Sequence, residues 1–275
     1  MPRGAIRLLK SHQEFQQCER IQVAVWGALA ASSELMIVTR KYGGAVLGAV
    51  VEGKVVGFLV AFLARRNGEL IHWSHMMAVE APYRDLGLGF RMKLAHRRLA
   101  LRLRLSSICW TYDPLQSRNA FLNIWRLGGL VDEYLPDCYG QFPSVIEKGL
   151  PSDRFVVNWR IRSARAARHL KAGRRRAPSA STPRVNQTRM SARGFLENGS
   201  ITLGLRHSRL LVEIPSNTDA MRSRSLTLAR RWRMETRRIF QHYFSAGYQV
   251  EDFIPPGRAT LGRCFYVLRR SVRQA

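Results

Sequence analysis

One short glycine turn separates two hydrophobic patterns of different period. Residues 69–79, ELIHWSHMMAV, are apolar and rich in β-forming residues over a length that is typical of a central strand. Pro82 ends this run, Gly87 and Gly89 follow, and from Phe90 onward the apolar residues recur at helical spacing. The chain therefore passes from a buried strand through a turn into a helix, which favours folds that pack helices on a sheet.

The helix that starts near Phe90 separates apolar from basic residues. Its buried face is predicted to contain Phe90, Leu94, Leu101 and Leu105. Its arginines lie largely off that face and are interpreted as a solvated surface: Arg91, Arg98, Arg102 and Arg104.

The other segments continue the alternation of strands and helices. Residues 4–9 are predicted to form a strand, and Ser11 with Glu14 has the form of a capping box that starts a helix. The apolar residues 44–64 are interrupted by Glu52-Gly53-Lys54, which indicates a hairpin, because these charges would be costly inside a membrane. The remaining predictions are strands at 106–112 and 154–161, with a helix at about 118–127 between them.

This order of elements predicts an α/β (α+β) fold with three regions. Residues 1–162 carry the alternation and are predicted to form the first domain. Residues 163–194 are rich in Arg, Ala, Ser and Pro, which predicts a short helix followed by a basic linker. Residues 195–275 repeat the order strand, helix, glycine, strand, strand, and are predicted to form a smaller α/β half-domain that resembles a partial repeat.

The net charge of the chain is +26, and such an excess is frequent in proteins that bind nucleic acids. Nearly all of this charge is arginine, which codon bias in a GC-rich genome also produces without a polyanionic ligand. The charge is diffuse, and no base-reading motif accompanies it. A nucleic-acid partner is therefore the alternative interpretation and not the leading one.

The cysteine pattern bounds the metal chemistry and the compartment. The four cysteines are widely spaced and form no Cys-x-x-Cys pair: Cys18, Cys109, Cys138 and Cys264. This spacing argues against a zinc site and a disulfide framework, so no metal is predicted and a reducing compartment is favoured. The apolar residues that precede Lys10 are too few for the apolar region of a signal peptide. We therefore expect a cytoplasmic protein without a membrane segment.

The turn from Arg84 to Gly89 has the composition of an anion-binding loop. Glycines permit positive φ and close approach to the backbone, so that several N–H groups and the positive end of the helix point at one place. A diphosphate fits such a nest. The spacing lacks the extra glycine of the dinucleotide fingerprint, and no Gly-Lys-Ser/Thr follows as in a P-loop.

Residues 77–89, MAVEAPYRDLGLG, resemble the acyl-CoA-binding segment of the GNAT superfamily of N-acyltransferases, whose signature is Arg/Gln-x-x-Gly-x-Gly/Ala. Residues 119–129, NAFLNIWRLGG, are similar to the next segment of that superfamily. WTYDPLQSRNA (110–120) and GLPSDRF (149–155) resemble a subgroup of predicted acyltransferases of similar length. The resemblance covers roughly residues 4–162 and implies a mixed, mostly antiparallel sheet flanked by helices.

The resemblance implies an acyl-CoA site along this strand and turn. Backbone N–H groups of the turn would hold the CoA diphosphate: Arg84, Leu86, Gly87, Leu88, Gly89 and Phe90. The strand would splay from its neighbour and pair with the pantetheine arm through Met77, Ala78 and Val79. The N–H near Met77 would polarise the thioester carbonyl. Asn119, at the start of the later helix, would be a further contact to the cofactor.

The same resemblance suggests a general base. His75 matches the second histidine of the His-x-His strand in arylalkylamine N-acetyltransferases, whereas Trp73 stands in place of the first. Strand alternation predicts that His75 shares a face with Met77 and Val79. His72 has the opposite parity and is expected to point away.

The general acid is left open between several tyrosines. Many GNAT enzymes carry a tyrosine four residues before the glycine that closes the later helix, but this chain has Ile124 there. Tyr112, Tyr134 and Tyr139 are the candidates in the neighbourhood.

The predicted activity is acyl-CoA-dependent N-acyl transfer without a covalent enzyme intermediate. Acetyl-CoA is the default donor. The resemblance to the subgroup also allows a longer acyl group such as succinyl, whose extra carboxylate an arginine-rich site would hold. The predicted acceptor is a small amine or an amino acid. The sequence leaves the oligomeric state open.

Overall fold

The computed structural model describes residues 4–27, 30–140, 149–171, 181–192 and 194–270. The described residues fall into two compact units. The first contains those up to Trp110 together with Arg160–Ser163, and the second contains the others. Much of the predicted linker and the first three residues lie outside the described residues. The predicted domain boundaries after residues 162 and 194 stay a prediction.

The first unit shows the predicted alternation of strands and helices. Its elements are β1 (Ala5–Leu8), α1 (His12–Trp26), α2 (Ser33–Lys41), β2 (Ala45–Val51), β3 (Lys54–Arg66), β4 (Glu69–Val79), α3 (Leu88–Arg102) and β5 (Ser107–Tyr112), the last two residues of which belong to the second unit. Neighbouring strands follow the order β1-β2-β3-β4-β5 and are antiparallel, except for the parallel pair β4 and β5. The mixed, mostly antiparallel sheet flanked by helices is thus confirmed.

Local sequence signals explain where these elements begin and turn. Ser11 Oγ accepts a hydrogen bond from the Glu14 N–H, and the Glu14 carboxylate accepts one from the Ser11 N–H, which confirms the capping box. Glu52 and Gly53 both have positive φ and turn β2 into β3, which confirms the hairpin. The helix α2, capped by Ser32, is not among the predicted elements.

Two apolar clusters cover the two faces of the sheet in this unit. One joins α1 and α2 to the strands, with Phe15, Met36 and Phe58 in its interior. The other joins α3 to the strands through residues such as Leu88 and Leu59.

The buried face of α3 differs from the predicted one. Phe90, Leu94 and Leu101 are only partly buried. The buried residues of this helix are Leu88, Met92, Lys93, Ala95, His96 and Ala100. The prediction was wrong because two of the buried side chains are polar and therefore obscure the apolar stripe.

The second unit has its own sheet strands and helices. They are α4 (Ser117–Ala120), which continues as a π-helix (Phe121–Arg126), β6 (Leu130–Leu135), β7 (Arg154–Arg160), α5 (Ala164–Leu170), β8 (Asn186–Met190), β9 (Leu196–Ile201), β10 (Arg209–Ile214), α6 (Thr218–Arg224), α7 (Leu226–Ser245), β11 (Tyr248–Ile254) and β12 (Cys264–Arg270). The order β7-β6-β11-β12-β10 is antiparallel throughout, and β8 pairs with β9.

The core of the second unit is aromatic. The Phe155 ring packs edge-on against Phe240 and Tyr266, with centroid distances of 4.6 Å and 5.4 Å. The predicted short helix after residue 163 corresponds to α5, and β8 begins inside the segment predicted as a linker. The partial repeat stays a prediction. In the part of the chain that the structure describes, no helix combines the length and the apolar character that a membrane span needs.

Candidate active site

β4 contains a β-bulge at His75. In the antiparallel pairing with β3, Val60 lies opposite Met76 and Ala61 lies opposite Ser74, so that His75 has no counterpart on β3. Such an extra residue bends the strand and interrupts the regular alternation of side chains between its faces. The bulge directly precedes Met77, Ala78 and Val79, the residues that the resemblance assigns to the pantetheine arm.

The bulge places His75 on the other face of β4 from Met77 and Val79. The His75 ring lies 5.1 Å from the Phe62 ring, and Phe62 alternates along β3 with Ala61, which belongs to the cluster beneath α3. Met77 and Val79 pack on that cluster. The shared face predicted for the three residues is therefore wrong, because strand alternation does not continue through a bulge.

β4 and β5 part from each other next to the bulge. Their parallel ladder ends with the pair Trp73 and Cys109, and among the described residues it does not extend to residues 74–79. We call the divergence between Ser74 on β4 and Trp110 on β5 the fork. The fork provides the splay between the strands that the resemblance implies, and it leaves this edge of β4 outside a ladder with β5.

The turn after β4 adopts left-handed backbone at two residues. Asp85 has a φ of 66° and Gly87 a φ of 72°. A Cβ built on Gly87 would have no atom within 4 Å, so this glycine faces open space. Arg84 Nε donates a hydrogen bond of 3.1 Å to the Val79 carbonyl oxygen, which ties the turn to the end of the strand. Such a turn directs successive N–H groups toward a common point.

The helix α3 begins directly at this turn. Its N-cap is Gly87, which has no side chain to accept hydrogen bonds from the first turn, and that turn contains no acidic residue. The first N–H groups of a helix lack intrahelical acceptors and form the positive end of its dipole. The structure thus brings the predicted diphosphate ligands together on one turn and helix start: Arg84, Leu86, Gly87, Leu88, Gly89 and Phe90.

A buried lysine joins both sides of the fork, and no sequence pattern had indicated it. Lys93 on α3 is 2% exposed, and its ammonium group donates a hydrogen bond of 3.1 Å to Ser74 Oγ. Its Nζ also lies 3.6 Å from the centre of the Trp110 ring, which is a cation–π distance. Burial lowers the pKa of Lys93 to about 7. The charge at the fork is therefore sensitive to pH near neutrality.

Two buried histidines, His72 on β4 and His96 on α3, lie next to Lys93 and Ser74 between the strand and the helix. His72 Nε2 lies 2.9 Å from the Gly43 carbonyl oxygen and must carry the proton, because a carbonyl only accepts. His72 Nδ1 then accepts a hydrogen bond of 2.9 Å from His96 Nε2. Burial lowers the pKa of both histidines. The expectation that His72 points away is wrong, since it faces α3 as Met77 does.

The predicted acids Tyr112 and Tyr134 belong to the second unit and are hydrogen-bonded within it. Tyr266 donates to the Pro114 carbonyl oxygen at 2.8 Å, so Tyr112 must donate to the Tyr266 hydroxyl at 3.1 Å. Tyr134 donates to Asp153 at 2.5 Å. Burial raises the pKa of both tyrosines. Both hydroxyl protons are donated to acceptors inside the protein, and this argues against either tyrosine as the general acid. The acid role of Tyr112 and Tyr134 stays a prediction.

Asn119 is exposed on α4, also in the second unit. After Ala120 the helix continues as a π-helix. Short π-helical segments inside α-helices are frequently found at functional sites. Ile124 is fully buried in this segment, and Gly128, with a φ of 77°, follows its end. The role of Asn119 as a cofactor contact stays a prediction. Among the described residues there is no group of three or more His, Cys, Asp or Glu side chains arranged to hold a metal ion.

Several solved structures are similar to this chain at low sequence identity. The ribosomal-protein-S18-alanine N-acetyltransferase from Escherichia coli is 13% identical, and the match covers 58% of this chain and 96% of that one with a TM-score of 0.47. An acetyltransferase of the GNAT family from Streptococcus pneumoniae is 16% identical over 56% and 96% of the two chains, with a TM-score of 0.45.

A third similar structure is Naa50 from Arabidopsis thaliana in complex with the bisubstrate analogue CoA-Ac-MVNAL. It is 14% identical, over 57% of this chain and 97% of that one, with a TM-score of 0.44. No protein-family model and no curated protein matches the sequence. A GNAT-family structure is thus among those to which the chain is similar, as the sequence resemblance predicted.

Proposed function

We propose that the chain is an N-acyltransferase that transfers an acyl group from acyl-CoA directly to an amine. One observation carries the proposal: β4 is bulged and parts from its parallel neighbour immediately before a left-handed turn at a helix start. The parted strand offers main-chain groups to an extended ligand, and the turn offers N–H groups to an anion. Coenzyme A combines these two features, because its arm carries amides and its diphosphate is anionic.

The residues of the first unit fit such a ligand. The open space at Gly87 allows a diphosphate to approach the backbone. The main chain of Met77, Ala78 and Val79 is proposed to pair with the amide-bearing arm. The bound acyl-CoA supplies an acyl group activated as a thioester. The N–H near Met77 is proposed to stabilise the charge that develops on the carbonyl oxygen, a contribution of about 3 kcal/mol in other acyl-transfer enzymes.

His75 is proposed to accept the proton of the amine. Its pKa is lowered by burial, so the imidazole is neutral at neutral pH and has a lone pair available. The contact with Phe62 fixes the ring on one side of the bulge. A base at this position lies beside the parted edge of β4, where the reacting groups are proposed to meet.

The donor and the acceptor are proposed from the sequence resemblance. Acetyl-CoA is the default donor and succinyl-CoA the second candidate, and a small amine or an amino acid is the acceptor. The net charge of +26 gives the alternative of a nucleic-acid- or ribosome-associated protein built on this fold.

Thermal unfolding in the presence of acetyl-CoA, succinyl-CoA and CoA tests the proposal. A ligand at a hundred times its Kd stabilises the folded state by about 2.7 kcal/mol, which shifts the Tm measurably. Gly87→Trp fills the open space at the turn and should abolish the shift. Gly68→Trp is the matched control, because Gly68 precedes β4, has a φ of 82° and also has no atom within 4 Å of its Cβ position.

The two variants separate ligand binding from backbone strain. Both place a side chain in the left-handed region and should lose similar stability without ligand. Only Gly87→Trp should lose the response to CoA. Equal responses of the two variants, or no response of the intact protein to any of the three ligands, would contradict the proposal. RNA binding that weakens steeply with salt would then favour the nucleic-acid alternative.

A further inference from the structure

The side chain of Lys93, which lies on α3, contacts both strands of the fork, β4 and β5. Ser74 is the first residue of β4 beyond the ladder with β5, and Trp110 is the residue of β5 that follows the last pair. Lys93 on α3 contacts both, by a hydrogen bond to Ser74 Oγ and by the position of Nζ over the Trp110 ring. The ammonium group therefore contacts both strands directly after the last pair of their ladder.

The surroundings of Lys93 are mostly apolar. Among the described residues, its titratable neighbours are His96 on its own helix and, through the hydrogen bond to His96, His72 on β4. The strands β1, β2 and β3 face α3 with apolar side chains: Ile6, Leu8, Leu47, Ala49, Leu59 and Ala61. A positive charge placed here is poorly screened, so it acts strongly on any charge that develops at the fork.

We propose that Lys93 is a positioning residue of the acyl-transfer site, which holds Ser74 at the fork and places a positive charge beneath it. The inference rests on the proposed function. The protonated ammonium group donates to Ser74 and attracts the face of Trp110, and both interactions keep the two strands at a fixed separation. The same charge favours the negative charge that acyl transfer develops at the parted edge of β4.

The sign of the pH dependence follows from the charge state. Below its pKa of about 7 Lys93 is an ammonium group, and above this value it is a neutral amine without the cation–π attraction. We therefore expect kcat to decrease above about pH 7 through Lys93. The KM for acyl-CoA should change little, because the turn at Gly87 and not Lys93 is proposed to bind the diphosphate.

The first test measures the charge at the fork without any substrate. Protonation of Lys93 should change the fluorescence of Trp110, because the ammonium group lies over that ring. The intact protein should show a fluorescence step near pH 7 that disappears in both Lys93→Met and Trp110→Phe. Lys54→Met, which removes an exposed lysine at the start of β3, should retain the step. Persistence of the step in Lys93→Met would overturn the proposal.

The second test compares kinetics with these titrations. Lys93→Met should lower kcat about tenfold at pH 6 and lose the decrease above pH 7, with KM for acyl-CoA nearly unchanged. Lys93→Arg keeps the charge at every pH used and should retain kcat while losing the same decrease. Ser74→Ala should lower kcat but keep the fluorescence step.

Failure of this inference is distinguishable from failure of the proposed function. If none of acetyl-CoA, succinyl-CoA and CoA stabilises the intact protein, the proposed function fails, whatever the fluorescence of Trp110 shows. If acyl-CoA binds and transfer occurs, but Lys93→Met retains the pH profile of the intact enzyme, only the role of Lys93 is refuted.

Discussion

Lys93→Met should make the protein more stable at neutral pH, although it removes a hydrogen bond and a cation–π contact. Burial lowers the pKa of Lys93 from 10.5 to about 7, and a difference of this size corresponds to about 5 kcal/mol. Below pH 7 the folded state carries the whole unfavourable contribution, because it must bury an ammonium group. Between pH 7 and 10.5 the unfolded state binds more protons than the folded state, so the stability of the intact protein rises with pH.

Urea unfolding followed by circular dichroism at about pH 6 and about pH 9 measures this effect. The stability advantage of Lys93→Met over the intact protein should fall by about 3 kcal/mol between these two conditions, and differences in packing cancel because they do not depend on pH. Lys54→Met is the control and should follow the intact protein, since its ammonium group is exposed. An advantage of the same size at both pH values would refute the claim that burial disfavours the charge of Lys93.

Two further predictions concern the second unit. Arg233, which is 1% exposed, donates two hydrogen bonds of 2.6 Å to the Asp113 carboxylate. Asp113→Asn leaves this buried charge without its partner and should lower the free energy of unfolding, measured by urea denaturation, by about 3–5 kcal/mol. A loss below about 1 kcal/mol would show that the two charges are screened. Gly128→Ala adds a Cβ 2.7 Å from His169 Cγ, whereas Gly247→Ala adds one with no atom within 4 Å, and both glycines have positive φ. Gly128→Ala should therefore lower the Tm more, and equal losses would mean that strain alone acts.

The periodicity of apolar residues predicted a helix or strand correctly where its apolar residues are the ones that are buried. β4 spans the predicted residues 69–79, because its apolar run is bounded by a glycine turn and by Pro82. α2 was missed because its apolar residues are not its buried ones. Leu35 and Val38 are exposed on this helix, while Met36 alone of its large apolar residues is fully buried. Periodicity reports burial only when the exposed side is polar.

The candidate site was predictable where glycine chemistry determines the backbone. The left-handed turn at Gly87 follows from the absence of a Cβ, and a sequence displays that absence directly. The bulge at His75 has no such mark, since neither glycine nor proline lies beside it in β4. Lys93 was equally hidden, because its residue type does not separate it from the exposed cations of α3 such as Arg98.

The bulge also explains why β4 presents both polar and apolar side chains to α3. Before the bulge β4 presents His72 and Ser74 to the helix, and after it β4 presents Met77. Without the extra residue, one of these groups would face the opposite side of the sheet. His75 itself is displaced to that opposite side, so β4 separates the His75 imidazole from the ammonium group of Lys93 at the point where it leaves β5. Under the proposed function, the base that accepts the proton of the amine and the positive charge that favours the developing oxyanion would therefore lie on opposite sides of one strand.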